Sequence, residues 1–264
     1  MTTMTSFVPL EKMQSFKCAL CDYFLTIPPI MCLGKDANKY KCGRCVHIPS
    51  EASIRNILFE KLAEQSTFPC TFPVCEEVLT WGTVEEHEKV CQHKLLKCPV
   101  SWSCTEVVSV LDLAKHCLKF HKKNVGVDQI TSTIQETLDK KRITVMLLLV
   151  QDIPFLLFKV VTSDNIWIKV FSLRPCENFK YEIIASSDTN ECCLSFKNPV
   201  EVYVENKHCK KCTLNECDNK LHKKYKKKID DALADNGFHK ITRDIVKELN
   251  IKELKCRVIL ETIN

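Results

Sequence analysis

Short apolar runs separated by polar breaks fill the second half of the chain. Val, Ile, Leu and Phe dominate the runs, and Asp, Asn, Pro and Ser dominate the breaks. The runs cover residues 143–150, 154–161, 165–171, 179–186, 191–197 and 200–205. Closely spaced strands of this kind are typical of antiparallel sandwiches. With a helix near 242–249 and a last strand near 255–262, the pattern predicts a β-sandwich over 125–264.

A helical period precedes this domain. Four large aliphatic residues recur at i, i+3, i+4 and i+8, namely Ile54, Ile57, Leu58 and Leu62. Because Ser53 can cap the first turn, the period predicts a helix over 53–65, inside a linker at 48–65. Residues 1–15 show no such period, and we expect a disordered lead-in there.

Two sets of cysteine and histidine with matched spacing lie within residues 66–124. The first set is Cys70, Cys75, His87 and Cys91. The second set is Cys98, Cys104, His116 and His121. Eleven residues separate the second and third members both times, which makes the two sets an internal repeat. Because zinc prefers four such ligands in a tetrahedron, the sequence predicts two closed, structural zinc fingers.

Each finger is expected to deliver its third ligand from a helix. Thr83 and Glu86 match a capping box before the helix of His87 and Cys91, and Asp112 takes the cap position in the second finger. Cys117 is expected to be a small buried residue rather than a ligand. A small common core is predicted from Phe68, Phe72, Val78, Leu79, Leu95, Val107 and Leu111.

Residues 16–47 resemble a ring finger in which only one of two metal sites is complete. Two thiolate pairs make that site: Cys18, Cys21, Cys42 and Cys45. The second site retains only Cys32, because Lys39 stands where a histidine ligand is expected and a protonated lysine cannot bind zinc. His47 is a stray alternative that is more often merely solvated. One zinc is predicted here, and three in the chain.

Composition narrows the class of protein. The chain has 264 residues, 45% hydrophobic content and 18 cysteines. No basic segment followed by an apolar stretch precedes Lys17, so we expect no signal peptide. Without secretion, clustered cysteine and histidine indicate metal sites rather than disulfides. The longest apolar stretch, 143–150, is too short to span a membrane, and a net charge of +5 does not by itself indicate nucleic-acid binding.

These motifs together resemble the Siah, or seven in absentia, family. The resemblance rests on CALCDYFLTIPPIMC at 18–32, SIRNILFEKLAEQSTFPC at 53–70 and LAKHCLKFHKK at 113–123. Such a resemblance implies a ring-type ubiquitin ligase with a double zinc finger and a dimeric, TRAF-like β-sandwich that binds substrate proteins. The expected fold class is therefore α+β and multidomain, with small zinc modules followed by an antiparallel sandwich.

The incomplete ring affects the ubiquitin-ligase activity that the resemblance implies. Ring ligases position a ubiquitin-charged conjugating enzyme, which docks on two loops. The first loop survives and offers Leu20, Ile27, Pro28 and Ile30 as docking candidates. The second loop and the arginine that follows the last ligand in active members are missing. The sequence therefore leaves two readings open: a ubiquitin-ligase component that recognises substrates for degradation, and a non-catalytic substrate adaptor or decoy.

A last cluster and a lysine run follow the predicted strands. The spacing of a zinc knuckle is found in Cys209, Cys212, Cys217 and His222, although no glycine permits its tight turns. Lys220 and the run at 223–228 could form a nuclear-localisation or nucleic-acid patch, but Asp230, Asp231 and Asp235 favour a solvated face. We expect cytoplasmic localisation with the nucleus as the alternative, and homodimers or heterodimers with Siah-like proteins. No phosphate-binding loop or hydrolase motif is present in the sequence.

Overall fold

The chain is divided into two units, residues 1–94 and 95–264. The computed structural model describes residues 14–33, 39–45, 54–101, 103–134, 142–175, 179–187, 192–203, 233–234 and 237–260. The boundary between the units lies between the two fingers predicted over 66–124. The predictions for His47, for the 209–222 cluster and for the lysine run fall outside the described residues.

The first unit contains a small sheet, a hairpin and two helices. Its elements are β1 (Met31–Cys32), β2 (Tyr40–Lys41), β3 (Ile54–Arg55), α1 (Ile57–Ala63), β4 (Thr67–Pro69), β5 (Val78–Thr80) and α2 (Val84–Val90). β1 lies between β2 and β3 and pairs antiparallel with both. β4 and β5 form an antiparallel hairpin that leads into α2. The ring segment and the first finger therefore share one unit.

α1 is shorter than the helix predicted over 53–65. Ile54 and Arg55 are extended and pair with β1, so the helix cannot begin before them. Asn56 caps it instead of Ser53, which lies outside the described residues, and the Asn56 side chain accepts a hydrogen bond from the Phe59 backbone N–H at 3.0 Å. A side-chain acceptor at this position satisfies a helix N–H that has no partner in the helix.

The aliphatic face of α1 is exposed, contrary to what its period suggests. The exposed fraction of the side chains lies between 59% and 72% for Ile57, Leu58 and Leu62 of the helix and for Ile54 in the strand before it. The buried side carries Phe59, Glu60 and Ala63. Glu60 accepts a hydrogen bond from the Ile30 backbone N–H at 2.8 Å, and the Phe59 and Trp81 rings lie 6.2 Å apart. These contacts decide the orientation of the helix, and hydrophobic periodicity alone does not.

The second unit begins with the second finger and continues into two β-sheets. Its elements are β6 (Leu95–Lys97), β7 (Val107–Ser109), α3 (Leu113–Phe120), β8 (Val125–Val127), β9 (Gln129–Thr133), β10 (Arg142–Val150), β11 (Ile153–Val161), β12 (Asn165–Ser172), β13 (Phe179–Ser186), β14 (Cys192–Pro199), β15 (Glu201–Val202), β16 (His239–Thr242), α4 (Arg243–Glu248) and β17 (Glu253–Leu260). The first sheet has the order β15-β12-β11-β10-β8, with β16 also on β12. The second sheet has the order β14-β13-β17-β9.

The two sheets enclose one apolar core, which confirms the predicted α+β fold with a β-sandwich. Phe155 and Leu157 of the first sheet pack with Tyr181 and Ile183 of the second, and all four are buried. Long strand pairs are antiparallel, but β8 joins β10 and β15 joins β12 in parallel. β8, β9 and β16 were not expected, because all three are short and the sequences of β9 and β16 are largely polar.

The second finger covers the outer face of the first sheet. Side chains alternate along β10, so Leu148 points into the sandwich while Val145 and Leu147 point outward. The outward residues pack with Leu113 and Cys117 of α3, and all of them are buried. The finger is thus a third layer on the sandwich. Among the described helices, none is long and apolar enough to cross a membrane.

Candidate metal centres

The first finger brings its four predicted ligands together. The ligand atoms of Cys70, Cys75, His87 and Cys91 all lie within 4.8 Å of one another. His87 comes from α2, and Cys91 is the residue that ends it, with its N–H donating to the His87 carbonyl at 2.8 Å. Thr83 precedes α2 as predicted, but the predicted capping box is wrong, because the Thr83 side chain makes no hydrogen bond to the start of the helix. The Thr83 hydroxyl donates to the Thr80 carbonyl at 3.0 Å instead.

The second finger repeats this arrangement. The ligand atoms of Cys98, Cys104, His116 and His121 lie within 4.8 Å of one another. α3 follows Asp112 and ends at Phe120, so His121 reaches the cluster from a residue just beyond the helix. The His121 Nε2 atom is buried and has no hydrogen-bond partner among the described residues. A buried imidazole nitrogen without a partner is costly unless an unseen group, such as a metal ion, binds it.

The ring segment forms a third cluster from four cysteines. The sulfur atoms of Cys18, Cys21, Cys42 and Cys45 lie within 4.8 Å of one another. The backbone N–H groups of Leu20 and Cys42 both approach the Cys18 sulfur at 3.4 Å. Cys32 lies apart in β1 and joins no ligand group among the described residues.

The donor separations fit zinc. With zinc bonds of about 2.3 Å to thiolate and about 2.0 Å to imidazole, a tetrahedron has edges of about 3.8 Å between sulfurs and about 3.5 Å between sulfur and nitrogen. Cys18–Cys45 and Cys21–Cys42 sulfurs are 3.7 Å and 3.6 Å apart. The Cys104 sulfur lies 3.6 Å from His116 Nε2. Zinc held by four protein atoms has no open position, so its role in each cluster would be structural.

Sequence comparison agrees with the modules that the structure contains. The chain is 30% identical over 119 residues to E3 ubiquitin-protein ligase sina of Schistosoma mansoni, which covers 40% of this chain and 31% of that protein. It is 32% identical over 120 residues to E3 ubiquitin-protein ligase SIAH2 of Homo sapiens, covering 40% and 36%. Identity to E3 ubiquitin-protein ligase siah-1 of Caenorhabditis briggsae is 26% over 121 residues, covering 42% and 28%.

Over this segment the chain is similar to Siah and sina proteins. The match covers about a third of the length of these relatives, and no protein-family model matches the chain. Three Cys/His clusters suited to zinc agree with the zinc cofactor that the Siah resemblance implies.

Several cysteines of these clusters have shifted pKa values. Burial raises the pKa of Cys70 to about 12 and that of Cys45 to about 11. Burial acts in the same direction on Cys18, but N–H donors from Cys42 and Leu20 outweigh it and lower the pKa to about 7. Because zinc binds thiolates, binding at these clusters must release protons, and zinc affinity must fall in acid.

Two further predictions concern residues beside the clusters. Cys117 is buried and outside the ligand group, as expected; burial raises its pKa to about 12, which keeps it a neutral thiol. Among the docking candidates, Leu20 and Pro28 are exposed, but Ile27 and Ile30 are buried. Ile27 packs against the first finger and Ile30 lies beneath the ring cluster. These two isoleucines therefore cannot be docking residues, which corrects the prediction.

Three of the seven residues predicted for the core of the fingers are buried. Phe68, Phe72 and Leu79 are buried as expected. The other four side chains are exposed, which contradicts the prediction for Val78, Leu95, Val107 and Leu111. Each finger hairpin has only three residues per strand, and its outward positions have nothing to pack against within their own finger.

Sequence reasoning missed two residues between the last ring ligands. Gly43 donates its N–H to the Ile27 carbonyl at 2.6 Å, and a Cβ atom there would lie 1.9 Å from the Pro28 carbonyl oxygen. Only glycine allows this approach. The next residue, Arg44, points to Glu88 on α2. The sequence carries no local signal for this pair, because Arg44 and Glu88 are 44 positions apart.

Proposed function

We propose that this Siah-like chain is a component of ubiquitin ligation whose β-sandwich recognises substrate proteins for ubiquitin-dependent degradation. The observation that carries the proposal is a four-cysteine ring site in the same chain as two further zinc-suited clusters and a sandwich. The sequence comparison supports this proposal, because the similar proteins are named E3 ubiquitin-protein ligases. A ring ligase has no nucleophile of its own, so its contribution to the reaction is positioning.

The surface that remains for a conjugating enzyme is small. Leu20 is 58% exposed and lies between the ligands Cys18 and Cys21. Pro28 is exposed on the loop that follows Ile27. We infer that Leu20 and Pro28 contact the conjugating enzyme, and that a zinc ion in the four-cysteine cluster fixes their separation. The half-ring then acts through one loop, so we expect activity weaker than that of a ring with two zinc ions.

The sandwich offers a sheet edge for substrates. Among the described strands, β14 is an end strand of the second sheet and pairs only with β13, while β9 lies at the other end. An added peptide strand gains affinity from backbone hydrogen bonds and selectivity from side-chain pockets. We infer that β14 receives an extended substrate peptide, because it is longer than β9. A peptide selected from a random library should slow amide hydrogen exchange in β14; protection confined to β9 would contradict this edge.

Autoubiquitination of the purified chain with a panel of conjugating enzymes tests the proposal. We expect ubiquitin chains with at least one enzyme, and their loss in Leu20→Ala. Val74→Ala is the control, because Val74 is an exposed aliphatic residue that belongs to the first finger and not to the ring segment. An absence of chains with every enzyme, while the zinc content is intact, would contradict ligase activity and support the adaptor alternative.

The proposal includes the partners of the chain and its location in the cell. We infer that the chain pairs with itself or with a Siah-like protein through the sandwich, and that it works in the cytoplasm. Sedimentation of the purified chain should give a dimer, and cell fractionation should recover it with cytoplasmic proteins. A monomer at all concentrations, or recovery only in nuclei, would contradict these two inferences.

A further inference from the structure

One side of α3 in the second finger faces solvent and carries lysine and leucine side chains. Leu113 and Cys117 hold the opposite side against the first sheet. This solvent side carries Lys115, Leu118 and Lys119 at i, i+3 and i+4, and Leu111 just before the helix and Lys122 just after it are exposed as well. We call these five residues the basic face. Because the helix already has its contact with the sheet, the fold does not need this side to be apolar.

The charges of the basic face have no carboxylate partners among the described residues. No ion pair involves Lys115, Lys119 or Lys122, and the nearby Asp112 carboxylate accepts a hydrogen bond from the Ser109 hydroxyl at 2.6 Å. The first finger differs, because Lys89 on α2 lies 2.6 Å from Glu86 and 3.8 Å from Glu85.

The positions of these lysines are unfavourable for the isolated helix. Lys115 lies in the first turn of α3, where the helix dipole disfavours a cation. Lys115 and Lys119 stand at i and i+4, a spacing at which like charges repel. The dipole favours Lys119 in the last turn, but helix stability does not explain Lys115 or the pairing of the two.

Large apolar side chains lie among these lysines. Leu111 is 42% exposed and Leu118 is 46% exposed, and Leu118 stands between Lys115 and Lys119. Phe120, 59% exposed, extends the surface at the end of the helix, with the Lys119 ammonium 4.8 Å from its ring centre. A charged helix face that only contacts water gains nothing from large apolar side chains. A protein interface, in contrast, combines buried apolar side chains with charges that select the partner.

We propose that the basic face binds an acidic peptide segment of a partner protein in which Asp or Glu alternates with Leu or Phe. Carboxylates of such a segment pair with Lys115, Lys119 and Lys122, and its apolar side chains cover Leu111 and Leu118. A nucleic-acid backbone supplies the negative charge but nothing to bury the leucines, so the peptide fits better. The surface lies on the finger and not on the sheet edge, so the proposal does not depend on ligase activity.

Fluorescence anisotropy with the full-length, zinc-loaded chain tests the proposal. The probe is a labelled peptide of alternating Glu and Leu or Phe. The comparison ligands are a poly-Glu peptide of equal charge and a duplex DNA of random sequence. We expect the mixed peptide to bind about tenfold more tightly than either comparison ligand, and its affinity to fall as salt rises.

Substitutions locate the site. Lys115→Glu with Lys119→Glu should weaken binding by about tenfold or more, and Leu118→Gln by several fold. Lys247→Glu on α4 is the matched control, because Lys247 is also an exposed lysine in a helix of this unit and should leave binding unchanged. Zinc content and melting temperature verify folding. If the double variant misfolds, Leu118→Gln and the Lys→Ala pair serve in its place. Equal or tighter binding of DNA, equal losses in Lys247→Glu, or no peptide binding would overturn the proposal.

Discussion

Arg44 and Glu88 form a bidentate ion pair that joins the ring cluster to the first finger. Arg44 Nε and a terminal nitrogen donate to the two Glu88 carboxylate oxygens at 2.7 and 2.5 Å. Arg44 also donates to the Phe24 carbonyl at 2.7 Å. Both side chains of the pair are only 11% exposed. Because Arg44 lies between two ring ligands and Glu88 follows a finger ligand, the pair links two zinc-suited clusters directly.

Removing one member of this pair should destabilise the first unit. Glu88→Gln keeps the shape of the side chain but leaves Arg44 as an uncompensated buried charge, which costs about 3 kcal/mol. Hydrogen exchange of residues 54–94 in the full-length chain measures the loss separately from the sandwich. Glu64→Gln is the control, since the Lys61–Glu64 pair is exposed and should cost well under about 1 kcal/mol. Equal effects of the two substitutions would contradict a structural role for the buried pair.

Gly43 should be essential for the ring cluster. Any side chain there collides with the Pro28 backbone, so Gly43→Ala must displace the segment that carries Cys42 and Cys45. We expect the purified variant to contain one zinc ion fewer than the wild type, as measured by elemental analysis. A Cβ atom at Gly82 meets nothing within 4 Å, which makes Gly82→Ala the control with unchanged zinc. Full zinc content in Gly43→Ala would show that the ring site tolerates this displacement.

Cys117 and Cys104 should respond differently to substitution although they lie in the same finger. Cys104 belongs to the ligand group, whereas Cys117 packs in the apolar contact with the sheet. Cys104→Ala should therefore remove one zinc ion. Cys117→Ala should keep it and cost only about 1 kcal/mol for the lost packing. Zinc counting and thermal unfolding on the same samples separate the two effects, and zinc loss in Cys117→Ala would mean that this thiol is a ligand.

Spacing was sufficient to predict the metal clusters and the long strands. Ligand spacing in a small finger is fixed by covalent geometry and one helical turn, so the His87 and His116 positions could be read from the sequence. The long strands β10 to β13 follow largely apolar runs, because a strand that is buried on both faces has few polar positions. Expected and observed limits of β13 agree, at 179–186.

Long-range contacts could not be read from the sequence. The face of α1 that is buried is chosen by Phe59 and Glu60 meeting distant residues, which the local period at Leu58 and Leu62 cannot reveal. The pairing of Arg44 with Glu88 spans 44 positions and has no local signature. The same holds for β8, which is only three residues long, and for the largely polar β9, because each becomes a strand by pairing at an edge of its sheet.

Glu182 should make the sandwich sensitive to acid. Burial alone would raise its pKa, but Arg257 and Lys197 outweigh burial and lower it. The folded-state pKa therefore lies below the unfolded value of about 4.3. The resulting stability is present above that value and is lost as pH falls through the folded pKa.

Glu182→Gln measures this contribution. The difference in melting temperature between wild type and variant should be constant from about pH 7 to pH 5 and should shrink below about pH 4. Zinc release in acid affects both proteins, so the difference isolates the carboxylate. A difference that persists unchanged at about pH 3 would contradict the role of the Arg257 and Lys197 charges.

Counting zinc by native mass spectrometry tests the account most directly. The full-length chain should carry three ions, one for each cluster that the described residues form. Cys21→Ser, Cys75→Ser and Cys104→Ser should each remove one ion, and Cys32→Ser should remove none. Fewer than three ions in the wild type, or a fourth ion that disappears in Cys32→Ser, would contradict the assignment of one ring site and two finger sites.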